Sequence, residues 1–360
     1  MGAEMTGSTM NAVRFHGADQ PLRVDEVPVP DPGPHDVLLR VAACGLCGSD
    51  VHFLEGMPTP GPLPLTLGHE PAGTVVATGA EVTGWSKGER VAITLDNGCG
   101  KCRTCTSGWP EACRLQSAPG LHFDGAFADL IRVPASTLVR VPEGVSMTAA
   151  AVATDCVASP YHALKCRGRL VPGEQVVIVG VGGLGSMGIL LARKLGAERI
   201  VAVDASPAAL DRAASAGADA TVLVPAGAQA TDVAGEVIAA TGGGAEVAME
   251  CVGHSDTLSL AVQALVPGGR MVAVGIGMEP PPIPYPQALF ALWEFSVIGS
   301  FGSHKRDLEE VLAMTASGDL DIDAGISHRV TLDQVAEGYE MLREHRDDPQ
   351  RIVMVAREEA

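Results

Sequence analysis

The sequence predicts a mixed α/β chain with two architectures, an irregular β-rich domain and a doubly wound parallel sheet. Three observations predict it. The chain has 360 residues, more than one hydrophobic core usually organises. Up to about residue 155, short apolar runs are broken by Gly and Pro. After Gly173 strand-like and helix-like segments alternate, the pattern of parallel strands with crossover helices on both faces.

In the first region, 37–42, 72–77, 90–94, 126–133 and 137–141 read as strands. The proline-rich stretches 28–34 and 58–64 read as loops, because proline donates nothing to a sheet ladder. In the second region 175–179 is a continuous apolar strand and 183–195 a helix. Strand 200–203 follows, then Ser206-Pro207, a capping residue with proline in the first turn. Strand 220–224, helix 233–240, strand 247–250, helix 256–265 and strand 270–274 continue the alternation. The proline cluster 280–286 reads as a stiff loop. Strand 295–299, helices 306–316 and 332–342, and strand 351–355 close the chain. No solenoid repeat is visible.

Composition excludes several classes of function. No apolar run is long enough to span a bilayer, and residues 1–10 lack the basic and apolar regions of a secretory signal, so a cytoplasmic protein is expected. The formal net charge is −18, which repels phosphate backbones, so neither nucleic acid nor a membrane is an expected partner. Nine cysteines in such a chain point to metal binding or buried thiols rather than disulfides.

Gly180-Val181-Gly182-Gly183-Leu184-Gly185 fits the Gly-x-Gly-x-x-Gly fingerprint, between an apolar strand and a helix. Gly180 permits the tight turn, Gly182 lets a pyrophosphate approach the backbone, and Gly185 lets helix and strand pack closely. Asp204 ends the next strand, where a carboxylate accepts both ribose hydroxyls and repels a 2′-phosphate. No arginine follows in Ala205-Ser206, so a Rossmann domain that takes NAD(H) rather than NADP is expected.

Cys99-x2-Cys102-x2-Cys105-x7-Cys113 is the most specific pattern in the chain. Four thiolates so close can wrap one tetrahedral zinc and leave no open position, which makes such a site structural. Free thiols or two disulfides are the competing accounts.

A second constellation is spread more widely. Cys44-Gly-Leu-Cys47-Gly-Ser49-Asp50-Val-His52 is followed by Gly68-His69-Glu70 and, much later, by Thr154-Asp155-Cys156 ahead of Ser159-Pro160-Tyr161-His162. A Cys, a His and a distant third ligand suit a catalytic zinc, which keeps one position open.

With these motifs in this order, the chain resembles the zinc-containing alcohol dehydrogenases of the medium-chain dehydrogenase/reductase superfamily over nearly its whole length. The resemblance implies a GroES-like catalytic domain formed by residues 1–158 and 297–360, with a Rossmann NAD-binding domain, 159–296, inserted between. It implies an active site in the cleft, with Cys47 and His69 as catalytic zinc ligands. Ser49 then bonds the substrate oxygen, His52 relays protons to solvent, and Asp50 and Glu70 are carboxylates just outside the metal. Gly180, Gly182, Gly183, Leu184, Gly185 and Asp204 hold the dinucleotide, while Val252, Val274 and Ile276 face its nicotinamide. For the third ligand, alignment on Tyr161-His162-Ala163-Leu164 selects Asp155, with Cys156 as the alternative. One residue of offset rotates a helical side chain by about 100°, so only one of the two can point at the metal.

The expected activity is reversible hydride transfer between an alcohol, secondary and apolar, and NAD, with two zinc ions per chain. Phe53, Leu54, Leu95, Trp109, Leu121 and Trp293 are the expected pocket liners. A polyol or amino-alcohol dehydrogenase is the alternative, followed by a double-bond reductase or a non-catalytic relative. A homodimer or homotetramer is expected, with strand 295–299 as the joining edge.

Overall fold

The computed structural model describes residues 8–95, 97–280 and 283–356. Residues 1–7, part of the stretch expected to carry no secretory signal, and Pro281 and Pro282 of the expected 280–286 loop lie outside the described residues. Two compact units emerge, Met1–Asp155 with Ser303–Ala360, and Cys156–Gly302. The expected boundaries, 158/159 and 296/297, fall a few residues from these. Among the described residues no helix is long and apolar enough to cross a membrane.

The first unit is built on a seven-stranded, mostly antiparallel sheet. Its centre is Asp36–Gly45, an apolar run buried along nearly its whole length. This strand pairs antiparallel with Glu70–Thr78, Leu130–Pro134 and Ile352–Val355. Its register sets Gly45 opposite both Glu70 and Val353. Three distant pieces of sequence therefore meet at one end of the sheet: the residues just after Gly45, those just before Glu70, and those just before Ile352.

Some sequence expectations shift here. Of the strand expected over 126–133, only Leu130–Pro134 forms, and the preceding residues touch the first strand through an isolated Ala12–Ala128 bridge. Helical turns over Met147–Val152 were not foreseen. Ala149, Ala150, Ala151, Val152 and Ala153 are all fully buried, so this helix is apolar all round except at the half-buried Thr148 and shows little amphipathic period. The wide π-type turn Ala153–Val157 follows it.

In the second unit six parallel strands run in the order Ala220–Leu223, Arg199–Asp204, Gln175–Val179, Ala245–Glu250, Leu265–Ala273, Ser296–Gly299. The chain order reverses between Gln175–Val179 and Ala245–Glu250. That is the switch point of a doubly wound sheet, where the carboxyl ends of the strands leave a crevice for a ligand. Ser206 caps the helix Pro207–Ser215 by accepting the Ala209 N–H, as the Ser-Pro pair foretells.

Candidate functional site

The strand ends of the first unit deliver one cluster. Cys47 sits at the head of the short helix Gly48–Leu54, two residues past the central strand, and His69 lies one residue before its neighbour. The Cys47 thiol donates to Asp155 Oδ2 at 3.9 Å, and His69 Nε2 stands 3.6 Å from the same oxygen. Ligand atoms of Cys47, His69, Glu70 and Asp155 all lie within 4.8 Å of one another. Tetrahedral zinc with bonds of about 2.0–2.3 Å separates its S, N and O donors by about 3.4–3.6 Å, so the Cys47–Asp155 and His69–Asp155 separations lie within a few tenths of an ångström of those a metal needs. Asp155 is 15% exposed, whereas Cys156 is fully buried and outside this group.

The surroundings hold the donors in place. Asp50, fully buried, faces His69 Nδ1 at 3.3 Å through Oδ1, and its Oδ2 accepts the Tyr339 hydroxyl at 2.6 Å. A carboxylate on one ring nitrogen turns the other toward a metal. Burial alone would lower the His69 pKa, but Asp50, Asp155 and Cys47 outweigh it and hold the imidazole well above its ordinary value. Glu70, also fully buried, is ion-paired with the buried Arg351. Breaking such a buried pair costs about 3–5 kcal/mol, so Glu70 is fixed in place. A divalent cation fits the remainder, balancing an Asp155 carboxylate and a Cys47 thiolate that burial would otherwise penalise.

Ser49, half-buried in the first turn of Gly48–Leu54, aims its hydroxyl at the cluster, 3.4 Å from His69 Nε2. His52 lies one turn further along the same helix and is half-buried. Neither Tyr339 nor Arg351 was singled out from the sequence. Each stands alone in the closing segment without a motif, and only the antiparallel register of Ile352–Val355 on the central strand brings Arg351 to the site.

The four-cysteine lobe forms a second cluster. Cys99, Cys102, Cys105 and Cys113 place their sulfurs together, with separations of 4.0 Å for Cys99–Cys105, 3.5 Å for Cys102–Cys105 and 3.7 Å for Cys102–Cys113. Zinc–sulfur bonds of about 2.3 Å predict a tetrahedral edge of about 3.8 Å, whereas a disulfide needs about 2.05 Å. None of the nine cysteines is in a disulfide. Backbone N–H groups of Cys99 and Leu115 point at the Cys113 sulfur, at 3.5 and 3.4 Å. The N–H of Cys105, foremost, lowers the Cys102 pKa to about 6, which favours the thiolate a metal needs.

In the second unit the glycine-rich turn joins Gln175–Val179 to the helix Gly183–Lys194, with Gly182 as N-cap. A side chain at Gly185 would strike the Gly180 carbonyl, while one at Gly182 would meet nothing within 4 Å. The turn is therefore closed toward the sheet and open beside Gly182, with Gly183 and Leu184 half-buried, at a helix N-terminus suited to a pyrophosphate. Asp204 accepts the N–H groups of Val181 at 2.7 Å and Ser206 at 2.8 Å, one on each oxygen. A carboxylate has about four acceptor sites, which leaves room for ribose hydroxyls. Val252 and Ile276 are exposed and Val274 is half-buried, all just past carboxyl ends of strands. Trp293, an expected pocket liner, joins an aromatic cluster with Tyr285 and Phe295, at centroid distances of 5.3 and 5.7 Å.

A doubly wound nucleotide-binding sheet joined to a β-rich unit with two zinc-type donor clusters defines a zinc-binding dehydrogenase. Residues 33–143 match the alcohol dehydrogenase GroES-like domain and residues 183–317 the zinc-binding dehydrogenase domain. An L-threonine 3-dehydrogenase from Anaeromyxobacter dehalogenans is 32% identical over 330 residues, 89% of this chain and 92% of that protein. The structure of an alcohol dehydrogenase from Thermus sp. ATN1 superposes with a TM-score of 0.88 at 32% identity, covering 97% of this chain and 100% of that one. A zinc-binding dehydrogenase from Sinorhizobium meliloti 1021, solved with NADP bound, gives 0.85 at 31%, covering 97% and 99%. The chain belongs to the zinc-binding alcohol dehydrogenase family of the medium-chain dehydrogenase/reductase superfamily, and it is an oxidoreductase of that zinc type.

Proposed function

We propose that this enzyme oxidises a secondary alcohol to its ketone, reversibly, with NAD as hydride acceptor and two zinc ions per chain. The observation that carries this reading is the convergence of Cys47, His69 and Asp155 with the Ser49 hydroxyl beside them. When bound, zinc lowers the pKa of a substrate hydroxyl as a Lewis acid, and NAD accepts the hydride. Cys47, His69 and Asp155 hold the metal, and Asp50 keeps His69 turned toward it. Ser49 accepts the hydroxyl proton, and His52 passes it on to solvent. Cys99, Cys102, Cys105 and Cys113 hold the second, structural zinc. Leu95, buried, and Leu121, half-buried, favour an apolar substituent on the alcohol. The edge strand Ser296–Gly299, with Val297 exposed, is the surface on which two copies would pair into a homodimer, alone or within a homotetramer.

A second reading, a β-hydroxy amino acid such as L-threonine as substrate, is favoured by the name of the Anaeromyxobacter relative. An NADH absorbance assay over small secondary alcohols, polyols and L-threonine separates the two. Turnover of simple secondary alcohols is expected. Turnover of L-threonine alone would move the assignment to the second reading, and no turnover of any alcohol by zinc-loaded protein would end both.

The choice of NAD rests on Asp204. Asp204→Ala is expected to raise KM for NAD about tenfold or more and to narrow the preference over NADP, since it removes ribose hydrogen bonds and a charge facing a 2′-phosphate. Unchanged KM values for both dinucleotides would remove Asp204 from the site.

A further inference from the structure

Glu250, at the carboxyl end of the strand Ala245–Glu250, is fully buried and was not singled out by any motif. Its Oε1 accepts three hydrogen bonds, from the N–H groups of Val252 and Gly253 and from the Thr257 hydroxyl, each at 2.8 Å. Its backbone carbonyl accepts two more, from the N–H groups of Val274 at 2.8 Å and Gly275 at 3.0 Å. One residue thus ties together two loops, 251–253 and 274–277, that leave neighbouring parallel strands.

The loops meet backbone to backbone. Gly253 has φ +90°, and a Cβ there would lie 2.6 Å from the carbonyl carbon and oxygen of Ile276. A Cβ on Gly275 would strike the Gly253 nitrogen. With no side chains between them, the spacing of the loops is set by the hydrogen bonds behind them. In front stand Val252, 38% exposed, and Ile276, 45% exposed, apolar side chains with an uncovered face. Burial of a carboxylate at this depth is costly: desolvation raises the Glu250 pKa even though Gly253, Thr257 and Val252 donate to it. An apolar residue would fill the volume without that cost but would leave those two N–H groups unpaired.

We propose that Glu250 is a positioning residue whose carboxylate sets the 251–253 loop against the 274–277 loop, which its backbone carbonyl holds, at the spacing that receives the nicotinamide half of the dinucleotide. This rests on the reading that Val252, Val274 and Ile276 border the nicotinamide. The adenosine half is held elsewhere, at Gly182 and Asp204, so Glu250 acts on one half of the ligand only.

The test compares NADH with ADP-ribose, which lacks the nicotinamide, by equilibrium binding to the full-length protein. Glu250→Ala is expected to weaken NADH about tenfold or more while ADP-ribose stays within about twofold. Glu250→Gln keeps an acceptor oxygen and should hold both ligands within about threefold of the parent. Glu250→Asp keeps the charge but shortens the reach, so it should weaken NADH selectively. It also serves as the measurement if Glu250→Ala does not fold. A purely structural role would move both ligands together, and that result overturns the proposal. Ile276→Arg is the control for the underlying reading. If it weakens NADH but the Glu250 variants do not, the positioning role alone fails. If neither does, the loops do not border the nicotinamide, and both fail.

Discussion

Asp155→Ala is expected to leave the purified chain with about one zinc instead of about two, and to lower turnover by at least about a hundredfold. Loss of a residue that merely orients a ligand typically costs 10–100-fold in metal affinity or activity, so loss of a ligand should cost at least about that much. The geometry singles out Asp155, because its Oδ2 faces both Cys47 and His69, at 3.9 and 3.6 Å. Glu70 is the one neighbouring carboxylate in the same group, but Arg351 holds it. It is therefore a poor substitute. Cys156→Ala, one residue on, should keep both metals and full activity, because Cys156 is buried as a small apolar group. Elemental analysis of the two proteins alongside the NADH assay decides the matter. Zinc retained in Asp155→Ala and lost in Cys156→Ala would reverse the assignment. Zinc falling to none in Asp155→Ala would show that the two sites are coupled.

The chemistry-bearing residues that the sequence revealed are those compressed into short motifs. The four-cysteine lobe spans fifteen residues, Cys99 to Cys113, and local turns bring its thiols together without help from the rest of the fold. The glycine-rich turn is legible for the same reason, since its strand, turn and helix are contiguous. The parallel sheet follows from continuous apolar runs such as 175–179, which match the strand Gln175–Val179. What the sequence hides is non-local. Tyr339 and Arg351 reach Asp50 and Glu70 across about 280–290 residues of chain, Tyr339 from a helix and Arg351 through a strand register, and no short window contains either. Glu250 was hidden differently: it reads as the polar end of a strand, and only its five hydrogen bonds reveal what it holds. The helical turns from Met147 escaped because a segment buried everywhere but at Thr148 carries little periodic signal.

Ser49→Ala is expected to lower kcat by about 10²–10⁴-fold while both zinc ions and NADH affinity stay at parent values. General-base transfer contributes a factor of about that size. The Ser49 hydroxyl is the group with the right placement: it stands on the first turn of Gly48–Leu54, 3.4 Å from His69 Nε2. A hydroxyl there would lie near the oxygen of an alcohol bound at the Cys47, His69 and Asp155 cluster, and it could accept a proton as it gives up its own. His52 stands one turn along the same helix and, in the proposed relay, hands the proton to solvent. His52→Ala should therefore have a milder effect, because water can replace the far end of a relay but not the group that touches the substrate. Ser49→Thr keeps the hydroxyl and should recover much of the lost rate. The combination discriminates between roles. Loss of zinc in Ser49→Ala would make Ser49 part of the metal's support, and an unchanged kcat would mean that the proton leaves by another path. A large loss of kcat at constant zinc, rescued by threonine, places Ser49 at the reacting oxygen.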